Sequence, residues 1–310
     1  MGGDYIVGRV EEATGARDPF RFAFDELSVD AYFVAKPTPH VLYVTRGLSR
    51  ARSSIPVAGT QTELTLRVLD TTPVPYAWPA EQLAAMVRDV RVSGNEIAPG
   101  HYLRLGGRQP SLSAEGESAS VAGYLFVTDP VLGIIDPPTG SVRFTYAAGV
   151  TADELEAALA WDPVKVSGVL GEYVPLGITD PKRRSILENP DAKARLTRGA
   201  EQDGSSLGAE FAHLLSVDAS GRVDLDTQAA RSLLRAARYR LSFGRPFALV
   251  RGDTWLRLSQ DAPFEADAQH VQLTATPELT NELLALIDDT PGVYRLHTAP
   301  VEIHVVDPGR

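Results

Sequence analysis

The residues best placed by type and spacing to do chemistry are Gly204-Ser205-Ser206-Leu207-Gly208, which fit the G-x-S-x-G pattern of a serine nucleophile. Such a serine sits on a strained turn that follows a buried strand. The preceding residues, Arg198-Gly199-Ala200-Glu201-Gln202-Asp203, are too polar for that strand, so the segment reads as a Ser/Gly linker. Asp218–Asp224 superficially matches a calcium loop. That loop needs a glycine sixth and a Glu twelfth, whereas here Gly221 comes fourth and no Glu arrives, so a hairpin turn is expected. The six histidines, His40, His101, His213, His270, His297 and His304, form no close pair at metal-ligand spacing. There is no G-x-G-x-x-G, no P-loop and no H-E-x-x-H. A catalytic site dispersed along the chain, using Ser205 or Ser206, stays open as the third reading.

Around these residues the apolar periodicity sets out the elements. Residues 29–35 and 40–46 read as strands around Pro37-Thr38-Pro39, and Thr62–Leu69 alternates as a half-buried strand does. Ala80–Val92 repeats Leu83, Met86, Val87 and Val90 at helical spacing, with Pro79 in its first turn and Ser93-Gly94-Asn95 ending it. Asp89 falls off that apolar face. Thr151 and Glu154 form a capping box. Val164–Leu170 reads as a short helix, Tyr173–Ile178 as an apolar strand and Asn189–Arg198 as a polar helix. Asp226–Tyr239 is a strongly amphipathic helix. Phe247–Val250, Trp255–Leu258 and His270–Thr274 read as an antiparallel set turning first at Gly252-Asp253. A helix at Pro277–Ile287 and a strand at Val301–Val306 end the series. The fold class expected is α+β, in two domains, each a mixed or mainly antiparallel sheet with packed helices, spanning residues 1–207 and 208–310.

The 310 residues suffice for two such cores. With 44% hydrophobic and 23% charged residues the chain is globular rather than disordered. No apolar run is long enough for a membrane span, and the first fifteen residues lack the basic start and apolar stretch of a secretory signal. There are no cysteines, which excludes disulfides, zinc-thiolate sites, iron–sulfur clusters and thiol catalysis. The net charge of −10 argues against nucleic acid, whose phosphates need clustered bases. Only Lys36, Lys165, Lys182 and Lys193 are lysines among the 30 basic residues, a usage that suggests a GC-rich bacterial gene.

An ordered series of short patterns says more than any single motif. Leu42-Tyr43-Val44-Thr45-Arg46-Gly47-Leu48-Ser49 is followed by Glu63-Leu64-Thr65-Leu66-Arg67, Trp78-Pro79-Ala80-Glu81, Ser93-Gly94-Asn95 and Pro99-Gly100-His101. Thr128-Asp129-Pro130, Gly140-Ser141-Val142-Arg143-Phe144 and Gly149-Val150-Thr151-Ala152-Asp153-Glu154-Leu155 come next, then Ile178-Thr179-Asp180 and Asp203-Gly204-Ser205-Ser206-Leu207. In this order they resemble the Suppressor of fused family over roughly Val41–Leu207, and Leu241-Ser242-Phe243-Gly244-Arg245-Pro246-Phe247 extends the resemblance more weakly.

The resemblance implies two mixed α/β domains and no enzyme activity. It implies that animal members clamp an extended segment of Gli transcription factors between their domains by strand addition. It further implies that bacterial members are immunity proteins encoded beside polymorphic toxins. Carried over by position, a helix tyrosine of the animal clamp falls at Asp89 and an acidic clamp residue at His101. The peptide-pairing strand falls near Glu210-Phe211-Ala212-His213. Both polar clamp residues differ from the family's, which puts recognition of a Gli-like peptide in doubt. By residue type alone Asp89 is a solvated helix position, His101 a loop hydrogen-bonder and Phe211 a core residue. The expectation is a cytoplasmic binding protein, monomeric when free, with a protein partner and with no cofactor, metal, nucleic acid or membrane. That partner is a cognate toxin neutralised stoichiometrically or, alternatively, an extended peptide segment.

Overall fold

The computed structural model describes residues 2–25, 27–49, 61–70, 74–106, 120–138 and 140–307. In chain order the elements begin with α1 (Gly2–Thr14), β1 (Phe20–Phe24), β2 (Leu27–Val34), β3 (His40–Arg46), β4 (Gln61–Val68), α2 (Trp78–Ser93), β5 (Tyr102–Arg104), β6 (Gly123–Thr128), β7 (Ile134–Ile135) and β8 (Val142–Val150). Then come α3 (Ala152–Ala160), α4 (Pro163–Tyr173), α5 (Pro190–Asp203), β9 (Ala209–Phe211), β10 (Leu215–Val217), β11 (Arg222–Asp226) and α6 (Thr227–Tyr239). The chain finishes with β12 (Phe247–Arg251), β13 (Thr254–Ser259), β14 (Glu265–Ala266), β15 (His270–Thr274), α7 (Pro277–Leu286), β16 (Gly292–Arg295) and β17 (Glu302–Val306). The α+β expectation holds. Contacts divide the chain into two compact units, residues 1–158 with 163–193, and residues 159–162 with 194–310. Gly204–Gly208 falls inside the second, just before β9.

The first unit is built on one sheet in the order β1-β2-β3-β4-β8-β6-β5, with β7 added beside β8. Its strands are antiparallel except that β4 runs parallel to β8. β4 is central, and it is buried on both faces rather than half-buried as its alternation suggests. Leu64, Leu66 and Val68 pack with Leu83, Met86 and Val87 of α2. Glu63, Thr65 and Arg67 face the other way and are buried too. They share that face with Leu42 and Val44 of β3 and Phe144 of β8, which pack with Ile6 and Val10 of α1.

The charged side chains there are held by specific partners, although Arg67 Nη1 and the Tyr32 hydroxyl are buried without a hydrogen bond. Arg67 Nη2 lies 2.8 Å from Asp129 Oδ1, and Thr65 Oγ1 donates to Asp129 Oδ2 at 2.6 Å. The backbone N–H groups of Val131 and Leu132 also donate to Asp129. Burial would push the Asp129 carboxyl up, but the Arg67 charge and these donors hold it below the usual range. Glu63 accepts from Thr45, from the Gly47 N–H and from the N–H and hydroxyl of Ser49. Burial pushes its carboxyl up despite those bonds. Glu154 meets Arg183 at 2.5 Å and accepts from the Thr151 and Ile186 N–H groups. Only that half of the capping box forms, because the Thr151 hydroxyl donates to Asp153.

The second unit holds two sheets, β10-β11-β17-β16 and β14-β15-β13-β12-β9. Its core combines Leu215, Val223, Leu225, Ile303 and Val305 of the first sheet with Leu249, Leu256, Leu258, Val271 and Leu273 of the second. Ala230, Leu233 and Ala237 of α6 and Leu279 and Leu283 of α7 complete it. Asp226 caps α6 by accepting from the Ala229 N–H. β12 and β13 form the expected hairpin, but β13 and β15 are parallel. Residues 260–269 between them are too long for a hairpin turn, and they carry β14 as a return segment.

Tyr173–Ile178 is not a strand. It is the end of α4 followed by a 3-10 turn at Pro175–Gly177, where Pro175 has no N–H for a ladder and Leu176 adopts φ +56°. The periodicity also passes over α1, β1 and β16. Among the described residues no helix is long and apolar enough to cross a membrane.

Candidate protein-interaction site

β9 is the last strand of its sheet and pairs, in parallel, with β12 alone. The Ala248 N–H donates to Gly208 O and the Ala212 N–H donates to Val250 O, both at 3.0 Å. In a parallel ladder of that phase, the main-chain groups of Glu210 face β12 while those of Ala209 and Phe211 point away from it. Among the described residues no strand pairs with that outer side. An edge of this kind offers N–H and C=O groups to an added strand.

Side chains alternate across the same three residues. Glu210 turns inward, where its carboxylate is 2.6 Å from Arg235 and 2.8 Å from the Ser232 hydroxyl, both on α6. That buried pair fixes β9 against α6. Sequence reading missed Arg235 and Ser232, although their i, i+3 spacing on an amphipathic helix was a usable signal. Phe211 turns outward and is 76% exposed, where residue type suggested core. Ala212 is half-buried and His213 is exposed in the turn before β10. Asp226 also accepts from the Leu214 N–H at 2.7 Å, which holds the end of that turn.

The strand registers extend Phe211 into a row. Phe211 lies beside Val250, Val250 beside Trp255, and Trp255 beside His270. The Trp255 and His270 rings stack with centroids 4.5 Å apart. The outer face of this sheet is therefore partly apolar next to an open edge.

The remaining two candidates belong to the first unit. Asp89 is exposed on α2, off its apolar face, and its carbonyl accepts from Ser93 Oγ. His101 is exposed directly before β5, with Nδ1 3.0 Å from Glu96 O. Its main chain is tied to β6, since the Phe126 N–H donates to His101 O. Among the described residues β5 is likewise the last strand of its sheet, next to β6. The structure gives Asp89 and His101 no hydrogen bond in common.

The serine segment is not a nucleophile elbow. Helix α5, not a strand, precedes it, and Gly204 ends that helix at φ +68°. The buried Ser205 hydroxyl donates to Leu159 O at 2.7 Å. Asp218 anchors the β10–β11 hairpin by accepting from Ser220 and the Arg222 N–H. Among the described residues no group of three or more acidic or histidine side chains is placed to hold a metal ion.

Fold and edge together define a two-unit α+β protein in which, among the described residues, β9 and β5 end their sheets. A family model described as Suppressor of fused protein (SUFU) matches residues 25–184, about half the chain, and the chain belongs to that family. The structure of Drosophila Suppressor of Fused resembles it with a TM-score of 0.73 at 19% identity, covering 98% of this chain and 96% of that one. A chain of the Sufu–Fu complex crystal structure is 24% identical with a TM-score of 0.54, covering 62% of this chain and 96% of that one. A protein described as a Suppressor of fused homologue from Neisseria gonorrhoeae is 13% identical with a TM-score of 0.43, over 59% and 94% of the two chains. At these identities the likeness shows the fold. No curated protein matches the chain in sequence.

Proposed function

We propose that this protein acts by binding another protein stoichiometrically, without chemistry of its own, and that its partner is a cognate toxin which it neutralises in the cytoplasm. The observation that carries the binding mode is the open edge of β9, with Phe211 exposed on it and Glu210 locked behind it. An added strand there gains main-chain hydrogen bonds and a contact with the apolar row. Family membership supports a binding role, since one relative was crystallised in the Sufu–Fu complex. The net charge of −10 supports steering toward a basic toxin. His101, directly before the edge strand β5, and Asp89, exposed on α2, are the further contacts proposed.

The test is capture of the partner in the native host, followed by expression of that partner alone and together with this protein. Toxicity relieved at a one-to-one ratio supports the reading. A captured partner that is harmless alone overturns the toxin assignment. Several unrelated captured proteins sharing an extended segment would favour the regulator instead, which the same edge would serve. An association rate that falls with added salt supports steering, and a flat response overturns it.

A further inference from the structure

The G-x-S-x-G segment that does no nucleophilic chemistry carries a different feature. Ser205 O accepts from Arg240 Nη1 at 2.9 Å and from Arg245 Nη1 at 3.3 Å. Two guanidinium groups therefore converge within about 6 Å of each other. Among the described residues neither has a carboxylate within salt-bridge distance, in a chain with ten more acids than bases. Their other contacts are neutral. Arg240 Nε donates to Pro246 O, and the Arg245 guanidinium lies 5.8 Å above the Phe243 ring. The half-buried Arg240 spans to Gly208, where an added Cβ would lie 3.1 Å from Nη2. Ser206, between Ser205 and Gly208 in sequence, is exposed.

One guanidinium suffices to hold the Ser205 carbonyl. A second beside it adds repulsion that no internal anion relieves. Burial and the neighbouring Arg245 charge both lower the proton affinity of Arg240. Ser205 O takes one nitrogen of each guanidinium, and the donors left beside it, on Arg240 Nη2 and on Arg245 Nε and Nη2, next to a hydroxyl-bearing exposed loop, are of the kind that recognises an oxyanion.

We propose that Arg240 and Arg245 form an oxyanion-binding site that receives a carboxylate of the protein partner. Gly208 leads straight into β9, so the site lies at the start of the open edge. A segment added along β9 would bring an acidic residue to it, beside an apolar residue that meets Phe211. This choice of source rests on the strand-addition reading, whereas the site itself does not.

The experiment uses the full chain and inorganic phosphate, read through the arginine Nε–H signals in NMR. Millimolar phosphate is expected to shift the Arg240 and Arg245 signals saturably, chloride at equal ionic strength is not, and Arg245→Ala is expected to abolish the response. Absence of a saturable shift overturns the site. Arg245→Glu supplies the anion from within, so it should lose phosphate binding and raise the melting temperature. A lower melting temperature with phosphate binding retained overturns the proposal in favour of a purely structural clamp. With the captured partner, Arg245→Glu should weaken binding at least about tenfold. Unchanged partner affinity alongside intact phosphate binding in the wild type overturns the partner carboxylate as the source. Phe211→Asp should lose the partner yet keep phosphate, which separates failure of the edge from failure of the site.

Discussion

In the first unit Glu63, Arg67, Asp129 and Glu154 are all buried, and each is held by hydrogen bonds from strands and loops of that same unit. In the second unit the space between two sheets and two helices is filled with aliphatic side chains, and the buried ion pair Glu210–Arg235 sits at the sheet margin on β9. Charges inside a sheet tie its own loops in place. A charge pair at the margin stiffens an edge while the main chain beyond it stays open. The contrast teaches that buried charge ties loops together inside one unit and fixes a strand at the sheet margin in the other.

The sharpest way to break the contrast is Asp129→Ala. It strands Arg67 in the interior and should cost about 3–5 kcal/mol in urea unfolding. Replacing both partners by apolar residues of similar volume should cost much less, and an equal cost would show that shape, not charge, dominates. Glu210→Ala should cost about 2 kcal/mol, because Arg235 and Ser232 lose a charged hydrogen-bond partner. It should weaken partner binding as well, whereas Asp129→Ala in the folded fraction should not.

The two buried carboxyls of the first unit should also pull stability in opposite directions with pH. Asp129 titrates below its unfolded value, so its contribution is present above that value and is lost as pH falls through the folded one. Glu63 titrates above its unfolded value, so its contribution is full below that value and fades as pH rises through the folded one. Asp129→Asn should therefore flatten the acid limb of the stability curve and Glu63→Gln the limb above it. Identical curves for the two variants would contradict this assignment.

The smallest stability effect is expected for Phe211→Asp. An exposed substitution should stay within about 0.5 kcal/mol of wild type. Its partner affinity should nevertheless fall by about a hundredfold, as expected when an exposed aromatic anchor is lost. A large loss of stability with unchanged affinity would move Phe211 into the fold and out of the site.

Much of the fold was legible because periodicity encodes burial. The helices at Trp78–Ser93 and Thr227–Tyr239 and the strand pair β2–β3 follow directly from apolar spacing. The face of α2 was read in the same way, and Asp89 lies off it as its position predicts. β4 misled because Glu63, Thr65 and Arg67 look solvent-facing until their partners, distant in sequence, arrive to bury them. Phe211 misled in the opposite sense, since residue type favours the core while the strand register leaves it outside.

Composition, the absence of cysteine, the acidic balance, the broken nucleophile motif and the ordered patterns of the family were all determined by the sequence alone. They depend on residue identity and on neighbours a few positions away. Only the tertiary structure decided that β9 is an edge, that Glu210 points in and Phe211 out, and that Arg240 and Arg245 meet over one carbonyl oxygen. Those facts depend on which strand pairs with which, in what direction and at what register, and long-range pairing of that kind leaves no local signature in the chain.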